Sequence, residues 1–333
     1  MREAVFRVDA APQIGGGHVV RCLALAAALA ETGWKCHFLV AAGTSATVAA
    51  LARSGHVVRE GEASWPAAAA APELLIVDHY GLDAAWEHGW RGRAGRILVI
   101  DDLADRPHDC DLLLDQGLSR AAGDYAGLTP PGCRFLLGPG YALLRPEFAA
   151  RRDAALARRD GGPVRRVLIA PGATDPTNIA APLIDAAEAI PDAAIDVAIG
   201  PAAPHLPALQ ARAAASPRLR LHIDVPDMAG LMGEADLCLG AGGGSSWERC
   251  CLGLPSLICV AGPDQARQAE ALVGAGAAGR TAIDDAAALR AAVLALAADG
   301  PRRAAMSAAA ARLCDGRGAA RVAGTMSLLS TGC

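Results

Sequence analysis

The chain nearly lacks lysine. Of 31 basic residues only Lys35 is one, and the rest are arginines, a bias of coding more than of chemistry. It also lacks a strong charge of either sign. Against 35 acidic residues the formal net charge is −4, which offers no global attraction to nucleic acid or to an anionic membrane. No apolar run reaches the ~20 residues that a membrane span requires, because Pro, Glu or Asp interrupts each one. The opening MREAVFRVDAAP has no basic segment leading into an apolar core, so it does not read as a secretory signal. No C-x-x-C occurs among the 10 cysteines. Several of these, such as Cys238 and Cys259, lie inside apolar runs, where a free thiol behaves as a small hydrophobe. These absences predict a cytoplasmic protein with reduced core thiols, no metal site, and neither membrane nor nucleic acid as partner.

What the chain does have is apolar material for two cores: 333 residues, 53% of them hydrophobic. Short apolar runs alternate with helical patterns, the signature of parallel sheets with crossover helices. In the first half AVFRVDA, KCHFLVA, ELLIVDH, RILVIDD and CDLLLDQ read as strands, most of them closed by Asp or His. In the second half RVLIAPG, AIDVAIG, LRLHIDV, ADLCLGAG and PSLICVAG repeat the pattern from about residue 163. Between them, residues 138–166 carry Gly and Pro breaks around a charged, helix-prone stretch and read as a linker. The expectation is α/β, with two Rossmann-like doubly wound domains at 1–150 and 151–333 facing a central cleft. The final ~35 residues have helical periodicity and could pack back on the first domain.

Each half places a glycine triplet between a strand and a helix. FRVDAAPQIGGGHVVRCLALA contains Gly16 and Gly17 and opens its helix near His18; ADLCLGAGGGSSWERC contains Gly243 and Gly244 and opens its helix at Ser245 and Ser246. Glycine allows close backbone approach, and exposed N–H groups at a helix start attract anions. Neither loop is a Walker A motif, since no G-K-[ST] follows, and no clean dinucleotide fingerprint follows the first strand. Two glycine loops aimed at one cleft fit a nucleotide diphosphate joined to a second moiety. His18 stands at the positive end of a helix macrodipole, which disfavours imidazolium and suits a general base. A residue that merely caps or bonds the loop would look the same in sequence, and both readings stand. Arg21, one helical turn on, reads as a buttress of the site or of a phosphate.

Other polar positions sit at carboxyl edges of strands, where open α/β sheets bind ligands. Of Asp78, His79 and Tyr80, at least one should face the cleft. The acid-rich VIDDLADRPHDCDLLLDQ reads as turn and strand-end carboxylates in preference to a metal cluster. In APGATDPTNIA, Asp175 and Asn178 suit helix caps, and Asp175 could also reach a substrate. Asp264 and Gln265 lie where a further loop enters a helix.

IGGGHVVRCLALA, VDHYGLDAAWE, IDDLADRPHDCDLLLDQ, GATDPTN and GAGGGSSWERCCLGLPSL, spread in order from about Val5 to Gln268, together resemble one family, the UDP-sugar hydrolases of the pseudaminic acid pathway. The resemblance implies a GT-B architecture and a UDP-sugar substrate, UDP-2,4-diacetamido-2,4,6-trideoxy-β-L-altropyranose. It implies inverting attack of water at the anomeric carbon, with no metal and no cofactor. By that resemblance His18 is the base and Tyr80 lies near it. Gly243, Gly244, Ser245 and Ser246 cradle the diphosphate, Glu248 holds the ribose, and Gln265 reaches the sugar or pyrophosphate. Asp264 departs from the family's Asn, which bears on the sugar-side contact, and Ala173 stands where a Gly is expected. The rival readings are a GT-B transferase with an acceptor hydroxyl and a non-catalytic UDP-sugar-binding protein. Nothing in the sequence sets an oligomeric state.

Overall fold

Apolar runs buried on both faces are what an all-parallel sheet requires, and they organise both halves of the chain. The computed structural model describes residues 2–11, 15–61, 65–66, 70–260 and 265–330. The chain divides into two compact units, Met1–Arg145 with Arg317–Cys333, and Pro146–Gly316.

The first unit holds β1 (Arg2–Val8), β2 (Trp34–Val40), β3 (Val57–Glu60), β4 (Leu74–Asp78), β5 (Arg96–Ile100), β6 (Leu112–Asp115) and β7 (Arg134–Leu137). They form one parallel sheet in the order β3-β2-β1-β4-β5-β6-β7. The period-2 alternation of a strand divides β1 between two cores. Ala4, Phe6 and Val8 face the helix Gly17–Glu31, whose Val19, Cys22, Leu25, Ala26 and Leu29 fall at helical spacing. Val5 packs on the opposite face with Leu39, Leu75, Val77 and Tyr125. The last helix, Gly318–Ser330, returns to this unit and buries Ala319, Val322, Ala323 and Met326 in the first of these cores. β3 and β7 were not anticipated from the sequence. Both are four-residue edge strands with residues open to solvent, so neither shows the continuous apolar run that reveals a central strand.

The second unit holds β8 (Arg166–Ala170), β9 (Ala194–Ile199), β10 (Leu219–Ile223), β11 (Leu237–Ala241), β12 (Ser256–Cys259) and the two-residue β13 (Gly279–Arg280). Their order is β10-β9-β8-β11-β12-β13, again parallel. The stretch read as a linker contains an ordered helix, Pro146–Ala157. Arginine has a structural task here. Arg152 donates to the carbonyls of Cys251, Ala311 and Cys314, Arg159 to those of Met232, Gly233, Ala235 and Leu252, and Arg303 to those of Leu296 and Ala297. Each guanidinium therefore satisfies orphan carbonyls at helix C-termini, where a cation also suits the macrodipole. Burial lowers Arg159 to about 10, with the charge of Asp236 opposing the shift and that of Arg158 adding to it.

Among the described residues nine cysteines are free, all buried except the half-buried Cys133. No described helix is long and apolar enough to cross a membrane.

In each sheet the chain reverses its direction of strand addition once, between β1 and β4 and between β8 and β11. At the second reversal β11 runs so close to β8 that a Cβ on Gly240 would overlap the carbonyl of Ala170. Gly240→Ala should therefore cost about 1–3 kcal/mol, read as a lower urea midpoint. Gly244→Ala, whose Cβ would meet nothing within 4 Å, should leave the midpoint nearly unchanged.

Candidate functional site

Doubly wound sheets bind ligands beyond the carboxyl ends of the strands at the reversal point, because the two flanking loops diverge there and leave a crevice. In the first unit those loops follow β1 and β4. The loop after β1 leads into Gly17–Glu31, whose N-cap is Gly16. A Cβ on Gly16 would come within 2.5 Å of Val48 Cγ2, so the close approach of Val48 requires glycine there. A Cβ on Gly17 would meet nothing within 4 Å. The helix start presents His18 toward Asp78, the last residue of β4.

The Asp78 carboxylate is fully buried and shared. Its Oδ1 lies 2.5 Å from His18 Nδ1 and accepts from Arg21 Nη2 at 2.6 Å, while Oδ2 accepts from Arg21 Nε at 2.7 Å. Arg21 also donates through Nη1 to Asp102 at 2.9 Å. Burial opposes ionisation of Asp78, but Arg21 and His18 outweigh it and hold the carboxyl well below the usual range. Burial likewise opposes the charge of Arg21, and Asp78 with Asp102 more than offsets it. The dyad therefore carries a permanent anion under the imidazole. With Nδ1 directed at a carboxylate, the tautomer that donates from Nδ1 leaves a lone pair on Nε2, the arrangement a proton acceptor needs. Among the described residues nothing bonds Nε2.

Tyr80 packs its ring edge-on to His18, with centroids 4.6 Å apart and planes at 86°. Its loop is tied from two sides. His79 Nε2 meets Asp9 at 3.1 Å, and Asp9 is in turn held by Arg7 and by the backbone N–H of Ala41. On the other side Arg106 donates to the carbonyls of His79 and Leu82 and to Asp101. The acid-rich stretch thus supplies ion-pair partners. Asp101 also bonds the Ala104 N–H and the Tyr125 hydroxyl, and Asp115 pairs with Arg120 and the same hydroxyl.

In the second unit the reversal point is flanked by the loop after β8, which holds Asp175, and the loop after β11, which holds Gly243, Gly244 and the start of helix Ser245–Cys251. Several side chains there are committed to the loops themselves. The buried Asp175 carboxylate accepts from the N–H groups of Ile179 and Ala180, which is the capping role, and its backbone is left-handed at φ 38°. Ser246 is buried and its hydroxyl accepts from Arg249, which also holds the Ala241 carbonyl; Ser245 accepts from the same guanidinium at 3.4 Å. Gln265 accepts from the Gly242 N–H at 3.0 Å, and Gln268 donates to the carbonyls of Gly242 and Gly243. The Ser246 N–H is also engaged, with the Gly243 carbonyl at 2.9 Å, and the Gln265 carboxamide oxygen positions the loop. Glu248 is half-buried on the first turn of its helix. Asp264 lies outside the described residues.

In the sequence Asp78 stood only as one of three residues of which at least one should face the cleft, and Asp102 and Arg249 were not among the expected site residues. Asp78 had a signal, a carboxylate ending a fully apolar strand, but its partner lies 60 residues away and only the β1–β4 pairing joins them.

The chain is 30% identical over 246 residues to the UDP-2,4-diacetamido-2,4,6-trideoxy-beta-L-altropyranose hydrolase of Campylobacter jejuni, a match covering 70% of this chain and 82% of that one. It is 33% identical over 117 residues, 34% of each chain, to the spore coat polysaccharide biosynthesis protein SpsG of Bacillus subtilis. Acinetobacter baumannii MurG has a similar structure, with TM-score 0.67 at 14% identity over 98% of this chain and 100% of that one. No protein-family model matches the chain. The fold is of the GT-B type.

The network beneath the Tyr80 loop gives a pH prediction. His108 is buried between Glu87, at 2.8 Å, and Asp101. Burial alone would lower its pKa, but hydrogen bonds and the charges of both carboxylates raise it to about 9. A His raised in the folded state contributes stability in full below its unfolded pKa of about 6.5. That contribution should disappear as pH rises from about 6.5 through 9. Stability measured by urea unfolding should fall across this window by an amount on the order of 3 kcal/mol, and His108→Gln should flatten the decline.

Proposed function

The chain belongs to the family of the UDP-2,4-diacetamido-2,4,6-trideoxy-beta-L-altropyranose hydrolases, and we propose that it hydrolyses that UDP-sugar, or a close UDP-diacetamido sugar, to UDP and the free sugar. The observation that carries this reading is the His18–Asp78 contact of 2.5 Å, with Nε2 the ring nitrogen that nothing bonds among the described residues. Water bound at Nε2 would lose a proton to the imidazole as its oxygen attacks the anomeric carbon on the face opposite UDP. The bond from that carbon to the diphosphate oxygen breaks, and its electron pair leaves with UDP. The sugar is released with inverted configuration, and the proton on His18 returns to solvent. Asp78 stays ionised, fixes the ring and stabilises the imidazolium.

UDP leaves as a stabilised anion, so a general acid is unnecessary if N–H donors receive its charge. In this reading the backbone of Gly243, Gly244 and Ser245 cradles the diphosphate, Ser246 holds that loop through the Gly243 carbonyl and Arg249, and Glu248 holds the ribose hydroxyls. Gly16 and Gly17 let the sugar approach the backbone, with Tyr80 against it. Arg21 acts through Asp78 and not on the substrate directly. Asp175, Asp264 and Gln265 remain candidates for the sugar-side contacts, the first and last through the loops they hold. The chemistry uses no metal and no cofactor, and the setting is cytoplasmic.

The purified protein should release UDP from the altrose nucleotide with no acceptor present, and chelator should not change the rate. His18→Ala should lower kcat by about 10²–10⁴-fold, the usual contribution of a general base. Asp78→Asn should lower kcat by a similar order with little change in KM. Release only on addition of an acceptor hydroxyl would instead assign a transferase, and unchanged turnover in His18→Ala would remove the base assignment.

A further inference from the structure

At the amino edge of the first sheet, opposite the end that carries His18, two thiols face each other. Cys110 precedes β6 and Cys133 immediately precedes β7, and their sulfurs are 3.7 Å apart. The pairing of Leu112 with Arg134 continues backwards through a hydrogen bond from the Arg134 N–H to the Asp111 carbonyl, so the two strand entries are fixed side by side. Sulfurs in van der Waals contact on neighbouring strand entries are the starting geometry from which the ~2.05 Å bond of a disulfide forms. The two thiols differ in access. Cys110 is 1% exposed, while Cys133 is half-buried.

We propose that Cys110 and Cys133 form a dithiol that a small-molecule disulfide oxidises reversibly to an intramolecular disulfide, with Cys133 as the attacking thiol and Cys110 as the resolving one. In the first step the Cys133 thiolate attacks one sulfur of the oxidant, displacing one small thiolate and leaving a mixed disulfide. In the second, Cys110 gives its proton to solvent and attacks the Cys133 sulfur, displacing the other small thiolate. The balance is one protein dithiol and one small disulfide giving one protein disulfide and two small thiols.

The surroundings favour this division of roles. A hydrogen bond with Cys110 favours the thiolate of Cys133, burial and the charge of Asp111 oppose it, and Thr129 and the His108 cation add to the favourable side, the balance lowering the thiol. The contact with Cys133 and burial push the Cys110 thiol up, which suits the partner that reacts second. Cys251 and Cys314, whose thiols also contact one another, provide an internal contrast, since both are buried.

The test uses the full-length protein and oxidised glutathione, followed by unfolding, alkylation and peptide mass spectrometry. The expected result is the loss of two of the 10 alkylatable thiols with a peptide joining Cys110 to Cys133, reversed by dithiothreitol. Cys110→Ser should instead trap one glutathionyl group on Cys133, and Cys133→Ser should form neither product. Circular dichroism of each variant shows that it is folded. A full complement of reactive thiols, a stable mixed disulfide on the unmodified protein, or a first cross-link at Cys251 and Cys314 would each overturn the proposal.

Discussion

A carboxylate at the end of a fully buried strand must be paired, and the pairing of Asp78 sets the character of the first unit's site. An isolated anion in that position would cost several kcal/mol. Arg21 removes the cost with a two-pronged ion pair, and Oδ1, one of the two oxygens it bonds, also meets His18. The same arginine reaches on to Asp102, so its own charge is compensated twice. The imidazole is thereby held by one nitrogen over a fixed negative charge, with its other nitrogen unbonded among the described residues. That arrangement follows from burial and register, and it is the preorganisation that the proposed base would require.

Register is the deeper constraint. β1 and β4 are adjacent in the sheet, although β2, β3 and their helices intervene in sequence, and the pairing runs Ala4–Leu74 to Val8–Asp78. A slip of one residue would turn Asp78 to the opposite face. The alternation of Val5 and Phe6 between two cores excludes that slip, so apolar packing well away from the site decides where its carboxylate points. Arg106 and Asp9 then secure the Tyr80 loop above it. The second unit uses hydrogen bonds to loop groups for the same purpose. Arg249, Gln265 and Gln268 hold the glycine loop through backbone groups and the Ser246 hydroxyl.

The central strands, both glycine loops and the two doubly wound sheets were legible in the sequence, because buried parallel strands and glycine punctuation leave a strong local pattern. The short edge strands β3, β7 and β13 were not, since half-exposed residues carry no such run. At the site, His18 was legible from its place after three glycines. Asp78 was only half legible, because its importance arises from a contact across 60 residues. Ser246 and Asp175 show the opposite failure. Their residue types suit ligand contacts, yet their side chains are occupied by Arg249 and by backbone N–H groups. The arginine excess also looked like coding bias alone, while several of these residues satisfy helix ends with an efficiency that lysine's single ammonium would not match.

The central claim is that water, activated by His18, attacks the sugar and not the phosphorus. Turnover of the UDP-diacetamido altrose in ¹⁸O-labelled water, with mass spectrometry of both products, tests it most directly. The account predicts one ¹⁸O in the anomeric hydroxyl of the free sugar, with inverted configuration by NMR at early times, and none in UDP. Label in the β-phosphate of UDP, or retained configuration, would contradict it.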